Sequence, residues 1–348
     1  MNIKLDSSKN MIHGGDIYNN KITMDLSVNI NPAGCPICVK EALMKAAGKV
    51  SFYPEYDHLS LRKLIGEAVG SVTETIVCGN GASEIITGVG HVFRGGKVLI
   101  PVPSFAGYER AFYESEIIFH FLKDSKDFEV DNSLISVIRE SKPEILILAN
   151  PNNPTGKLVK GELRNALIKT AAECGCTLVI DESFIDLSEG AESFLDHMDG
   201  EVRMIVIRSL TKSYAIPGVR IGYAICSDKE LAESLSRALS EWNISVFADE
   251  AGKAVFSGWD REGYLADSRT LINKMRGNIY TELGARGIRY IKSDTDYILF
   301  KHRRGLYEDL LLCGILIRDC GTLRGLGEGW YRITVCEGSS SIVFLRML

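Results

Sequence analysis

Six short apolar runs, each set apart from the next by a longer amphipathic stretch, constrain this chain most. They are KVLIP (97–101), IIFHFL (117–122), EILILA (144–149), TLVI (177–180), MIVIRS (204–209) and IGYAI (221–225). Runs this short and this rich in Ile, Val and Leu suit strands buried on both faces of a mostly parallel sheet, with the amphipathic stretches as its covering helices. Helix-period patterns near 38–48 and 59–69 precede all six. After residue 227 the pattern stays helical for about sixty residues, with a break at Trp242 to Ser245. A second α/β unit follows, with candidate strands YILFK (297–301), ILIRD (315–319) and WYRITV (330–335). The reading is an arm over 1–40 that joins the small domain, a large domain over 41–245 and a small C-terminal domain over 246–348.

Composition narrows the partners. With 45% hydrophobic and 24% charged residues over 348 positions, a sizeable core is expected and disorder is not. A net charge of −5 gives no basic excess for nucleic acid or an anionic membrane, so an anionic ligand must be held by a few placed cations. No run of about 18 apolar residues is present, and the start, MNIKLDSSKN, lacks a leader-like apolar segment. A cytoplasmic location is expected. The nine cysteines are an odd count and read as free thiols. Cys35 and Cys38 form a C-x-x-C, but a zinc site needs two more ligands and Cys174 with Cys176 has the wrong spacing. The plain reading is a loop entering a helix at Pro36.

Four motifs follow predicted strands, where open α/β sheets bind their ligands. C-G-N-G-A-S-E (78–84) is a glycine-rich turn entering a helix at 83–93. It suits a phosphate held by free N–H groups and the helix dipole, or a tight turn capped by Ser83. N-P-N-N-P-T-G (150–156) is a loop stiffened by two prolines that can present Asn153 to a ligand. I-D-E-S-F (180–184) puts Asp181 at a strand end, as a solvated acid or as a partner for a cationic ring nitrogen. S-L-T-K-S-Y (209–214) with P-G-V-R-I-G-Y (217–223) places Lys212 eight residues before Arg220. That is a surface charge pair, or an amine nucleophile beside an anion site.

In order and spacing these four resemble the fold-type I pyridoxal-phosphate (PLP) enzymes of the class I/II aminotransferase superfamily, over nearly the whole chain. The resemblance implies an aspartate aminotransferase-like α/β fold, with a large, mostly parallel seven-stranded sheet and a smaller α/β domain. It implies that Lys212 carries the cofactor and moves the proton, and that Asp181 pairs with the ring nitrogen. Asn153 would bond the ring hydroxyl, and Phe105 would stack on the ring. Gly81, Ala82, Ser83, Ser209 and Arg220 would hold the phosphate. Tyr53 would reach the phosphate of a neighbouring subunit, making the protein a homodimer with shared active sites. Arg332 would clamp the substrate α-carboxylate. Phe184 departs from the pattern, since many aminotransferases have there a tyrosine that bonds the ring hydroxyl.

Within the superfamily, H-G-G-D (13–16), D-L-S-V-N-I-N-P-A-G-C-P (25–36), D-E-S-F-I-D-L (181–187) and I-R-D-C-G-T-L-R-G-L-G (317–327) look like the threonine-phosphate decarboxylases of cobalamin biosynthesis. The histidinol-phosphate aminotransferases are next. The resemblance then implies a phosphorylated amino acid as substrate, with Arg318 first and Arg324 second as cations for its phosphate. His13 and Asn31 on the arm would close over it. Three readings follow: a decarboxylase of O-phospho-L-threonine or O-phospho-L-serine, an aminotransferase, and a non-enzymatic protein of the same fold. No DNA-binding segment and a full catalytic set speak against the third. Residues 336–348 lack the charged amphipathic helix that usually follows R-I-T in this family, so packing there is expected to differ.

Overall fold

The computed structural model describes residues 14–198, 202–336, 344, 345 and 347; His13 lies outside them. The arm enters at β1 (Met24–Asp25), followed by α1 (Ile37–Ala46), which starts after Pro36 as expected, and α2 (Leu59–Val69). The large sheet comprises β2 (Ile76–Gly79), β3 (Lys97–Val102), β4 (Glu116–Phe121), β5 (Ile145–Ala149), β6 (Thr177–Asp181), β7 (Met204–Ser209) and β8 (Gly222–Cys226). Its order is β2-β8-β7-β6-β5-β3-β4, and β8 alone runs against the others. Strands β5 and β6 are buried along their whole length, the pattern of a sheet covered on both faces. The six apolar runs became six of these strands. The seventh, β2, is four residues long and abuts the glycine-rich turn, so it carries too little apolar sequence to stand out.

Helices α3 (Ala82–Val92), α4 (Gly107–Ala111), α5 (Ser133–Ser141), α6 (Gly161–Cys174), α7 (Leu210–Ser213) and α8 (Lys229–Arg237) connect the strands. One apolar cluster joins α3 and α8 to Val98, Ile100, Ile147 and Val179, and a second joins α5 and α6 to Leu99, Leu146 and Leu178. These neighbouring strand residues point to opposite faces, which fixes the three-layer arrangement. Helix α9 (Val246–Phe256), expected in the small domain, shares a core with Val39, Leu61, Ile65 and Ile225 instead. Helix α10 (Arg261–Ala285) gives Leu265 to that same core and Ile272, Met275, Ile279 and Leu283 to another.

The small unit packs α10 and α11 (Leu306–Leu312) on β9 (Tyr297–Lys301), β11 (Arg318–Asp319) and β12 (Trp330–Thr334), in sheet order β11-β12-β9. The run 315–319 divides, because β10 (Ile315–Leu316) pairs with β1 of the arm while β11 pairs with β12. Leu26 of the arm enters the same apolar cluster as Ile298 and Ile333, and Phe344 and Leu345 complete it. No helix among the described residues is long and apolar enough to cross a membrane.

Ile147 is fully buried in the central strand β5. Ile147→Ala should lower the unfolding free energy by about 2–5 kcal/mol, read as an earlier midpoint in a urea titration. Leu312→Ala, at a residue 87% exposed, should change it by less than about 0.5 kcal/mol.

Candidate active site

Every motif meets at one edge of the large sheet. The segments after β2, β3, β5, β6 and β7, which run the same way, all emerge there, and the reversed strand β8 begins there, so Arg220 arrives from the other direction. The small unit's Arg318 and Arg332 and the arm's Ser27 and Asn29 close a cavity of about 220 Å³ over that edge. This is the crevice beyond the carboxyl ends of the strands that open α/β sheets offer to ligands.

Lys212 sits in the one-turn helix α7 and lines the cavity. Burial, then the charge of Arg332, pushes its pKa down to about 8; Asp296 and Asp181 oppose the shift. The neutral, nucleophilic amine is therefore in reach near physiological pH. Asp181, at the end of β6, accepts from Tyr108 Oη at 2.7 Å, from the Ser183 amide at 3.0 Å and from Ser183 Oγ at 2.5 Å. Those donors fix one orientation of the carboxylate. Burial and the Asp181 charge push the Tyr108 phenol well above its usual range, so it stays a donor. Tyr108 and Ser183 were missed in the sequence. A phenol three residues beyond Phe105, on the turn that follows the same strand, was the available signal for Tyr108. Phe105 lines the cavity and meets Tyr108 edge-on, with centroids 5.5 Å apart. Phe184 also lines it, set edge-on against Tyr297 at 5.1 Å.

The glycine-rich turn and β7 form a cup. Ala82, Ser83, Ser209, Thr211 and Arg220 all border the cavity, and Ser209 Oγ lies 2.7 Å from Thr211 Oγ1. Gly81 precedes the first turn of α3 with φ +76°, and no side chain caps that helix, so Ser83 is not its cap. A Cβ on Gly81 would lie 2.3 Å from an Arg220 guanidinium nitrogen, so the glycine serves both the backbone angle and the close approach of the cation. Gly222 is likewise required, since a Cβ there would come within 2.8 Å of the Ala82 amide nitrogen.

Arg318 and Arg332 are cross-strand partners on β11 and β12. Both are at least nine-tenths buried, and both face the cavity. Arg332 donates to Asn153 Oδ1 at 2.6 Å and to the Ser27 carbonyl at 2.7 Å, and its Nε has no partner among the described residues. Asn153 thus turns its oxygen to Arg332 and keeps its amide hydrogens available. Arg318 forms no ion pair among the described residues, and burial lowers its pKa. A buried cation without a counter-charge is costly, and an incoming anion offsets that cost.

Three predicted residues stand elsewhere. Asn31 is buried below the arm. Its amide donates to the Ser213 carbonyl, Tyr264 Oη and Ser268 Oγ, while its oxygen accepts from the Ala33 amide. It therefore anchors the arm to α7 and does not reach the cavity. The residue that does is Asn29, 2% exposed, with Oδ1 unpartnered among the described residues. The signal was present, because Asn31 begins the turn Asn31-Pro32-Ala33-Gly34 and turn-initiating asparagines bond their own backbone. Arg324 is also corrected: it grips Glu109 through Nε at 3.1 Å and Nη2 at 2.9 Å and lies 4.0 Å from the Phe119 ring centroid, outside the cavity wall. Tyr53 is 80% exposed, packs against Trp242 at 4.9 Å and does not line this chain's cavity.

Comparison with known proteins agrees with this geometry. The threonine-phosphate decarboxylase of Salmonella typhimurium strain LT2 is 28% identical, over 97% of this chain and 96% of its own length. Among solved structures, the histidinol-phosphate aminotransferase from Clostridium acetobutylicum superposes with a TM-score of 0.84 at 30% identity, covering 93% of this chain and 97% of that one. The L-threonine-O-3-phosphate decarboxylase from Porphyromonas gingivalis gives 0.80 at 25%, covering 92% and 97%. The sequence model for aminotransferase class I and II matches residues 21–343, and the chain belongs to that family.

Proposed function

We propose that this chain is a PLP-dependent decarboxylase of a phosphorylated amino acid, O-phospho-L-threonine or O-phospho-L-serine, that releases an aminoalcohol phosphate for cobamide assembly. The observation that carries the reading is Arg318, a buried guanidinium with no ion pair among the described residues, directly across the strand pair from Arg332. Cross-strand partners have Cα atoms about 5 Å apart, so two anions held by these residues belong to one short molecule. A carboxylate and a phosphate separated by a few bonds meet that requirement.

The residues fit the cofactor. The cup of Ala82, Ser83, Ser209, Thr211 and Arg220 suits its phosphate, and the oriented Asp181 suits a protonated ring nitrogen. Phe105 suits the ring face, Asn153 the ring hydroxyl, and Lys212 the carbonyl carbon. Once bound, PLP supplies an electron sink for the pair left when a bond at the substrate Cα breaks.

The chain's own groups do the rest. Arg332 binds the α-carboxylate as a planar fork and Arg318 the substrate phosphate. Together they set the turn of the substrate about its Cα, and so which bond stands ready to break. Lys212 Nζ would hold the cofactor and, as a free amine, would carry a proton to the substrate Cα. Asn29 Oδ1, an acceptor without a partner, can take a substrate N–H or O–H. The second reading, an aminotransferase such as one for histidinol phosphate, is favoured by the 30% identity to the Clostridium structure. The exposed Tyr53 supports a homodimer in which it completes the partner's phosphate site.

PLP-loaded protein given O-phospho-L-threonine or O-phospho-L-serine without a keto acid should release carbon dioxide and the amine phosphate catalytically, and Lys212→Ala should release none. Amino transfer to a keto acid with no carbon dioxide would move the assignment to the aminotransferase. Arg318→Gln should raise KM for the phosphorylated substrate about 30-fold, about 2 kcal/mol, with cofactor absorbance unchanged. An unchanged KM would remove Arg318 from the substrate site.

A further inference from the structure

Asp296 is an acid for which the reaction above has no role. It immediately precedes β9 and is fully buried. Its Oδ1 accepts from the adjacent Thr295 Oγ1 at 3.2 Å, and its Oδ2 has no hydrogen-bond partner among the described residues. Its carbonyl accepts from the Val335 amide at 2.8 Å and from Thr334 Oγ1 at 3.2 Å, which ties it to the strand that bears Arg332. The next residue, Tyr297, lies under the Arg332 guanidinium, 5.4 Å from ring centroid to Cζ, and its hydroxyl holds the Asn152 carbonyl. Asp296 is thus fastened to the strand that bears the arginine without being bonded to the arginine itself.

Its electrical surroundings come from several elements. Lys212 of α7 and Arg332 of β12 are the cations that favour its charged form, while burial disfavours it and wins, pushing the carboxyl up to about 6. Asp296 in turn holds up the pKa of Lys212 against burial and raises the Tyr297 phenol, which Asp181 and Asp294 also raise. On the α10 side, Arg276 donates to the Thr295 carbonyl at 2.6 Å, not to the Asp296 carboxylate. Among the described groups around it, Lys212 and, less strongly, Arg332 favour the charge of Asp296, and it lacks the donors that hold Asp181.

We propose that Asp296 is a positioning residue for the anion site, ionised while Arg332 has no substrate and protonated once a substrate carboxylate lies against that arginine. This rests on the reading that Arg332 takes the substrate carboxylate. The ligand brings negative charge to the guanidinium that had been stabilising Asp296, so the buried carboxylate accepts a proton from solvent and the ligand meets no fixed repulsion. Before substrate arrives, the ionised acid tempers the Arg332 and Lys212 charges. Binding of the anion and uptake of a proton become one linked event.

The test uses PLP-loaded protein and 3-sulfopropionate, which has no amino group to react and whose carboxylate and sulfonate stay ionised from about pH 6 to 8. Calorimetry in two buffers of different ionisation enthalpy counts the protons. The native protein should take up roughly a third to a half of a proton per ligand near pH 7, with affinity falling as pH rises. Asp296→Asn should take up almost none, bind about fivefold tighter near pH 7 and lose the slope. No uptake by the native protein would overturn the proposal without reference to any variant. So would equal uptake in the two proteins, or weaker binding by Asp296→Asn with cofactor absorbance intact. Unchanged probe binding in Arg332→Gln would overturn both this role and the carboxylate reading beneath it. Uptake as expected, with no decarboxylation of phosphorylated amino acids, would leave Asp296 in place and fail only the reaction.

Discussion

The concentration of unpaired positive charge in one buried cavity governs the architecture around it. Lys212, Arg220, Arg318 and Arg332 line a space of about 220 Å³, and none is neutralised by an ion pair with a described carboxylate. In a low-dielectric interior such groups are tolerated only where ligand anions will meet them. The sheet supplies Lys212 and Arg220 from the ends of β7 and β8, and the small unit supplies the other two from paired strands. The cavity is therefore a joint product of two units and the arm. The acid in the cavity wall, Asp181, is oriented by Tyr108 and Ser183.

Outside the cavity the same side-chain types behave differently. Arg208 is held between Glu182 at 2.9 Å and Asp186 at 3.0 Å, and both raise its pKa. Asp186 also accepts from Ser213 Oγ at 2.9 Å, so this pair braces α7 from the side away from the substrate. Arg324 closes the edge by gripping Glu109, on the same helix as Tyr108, and Gly325 beside it approaches the Pro103 backbone too closely to allow a Cβ. Arg208 and Arg324 are thus held by carboxylates, unlike the cations that line the cavity.

Much of this was legible in the sequence. Six of seven large-sheet strands stood out because a sheet covered on both faces demands unbroken apolar runs. Lys212, Asp181 and the glycine-rich turn stood out as candidates because they follow strand ends, where open sheets bind ligands. The misreadings share one physical cause. Asn31 and Asn29 are two residues apart in an extended segment, and only the turn at Pro32 separates their fates. Arg324 could be ranked below Arg318 in the sequence, but its partner Glu109, 215 residues away, could not be seen there. Helix α9 was assigned by its position in the chain, whereas its partners Val39 and Leu61 lie about two hundred residues earlier. Contacts between distant segments leave no local pattern to read.

In the proposed reaction the two arginines decide which bond at the substrate Cα breaks. That is most directly measured by running O-phospho-L-threonine in heavy water with PLP-loaded protein and following proton NMR. The predicted result is an amine phosphate carrying one deuteron on the carbon that bore the carboxylate. Starting amino acid with its Cα proton exchanged and its carboxylate retained would contradict the assignment, because the C–H bond would then be the one held ready to break.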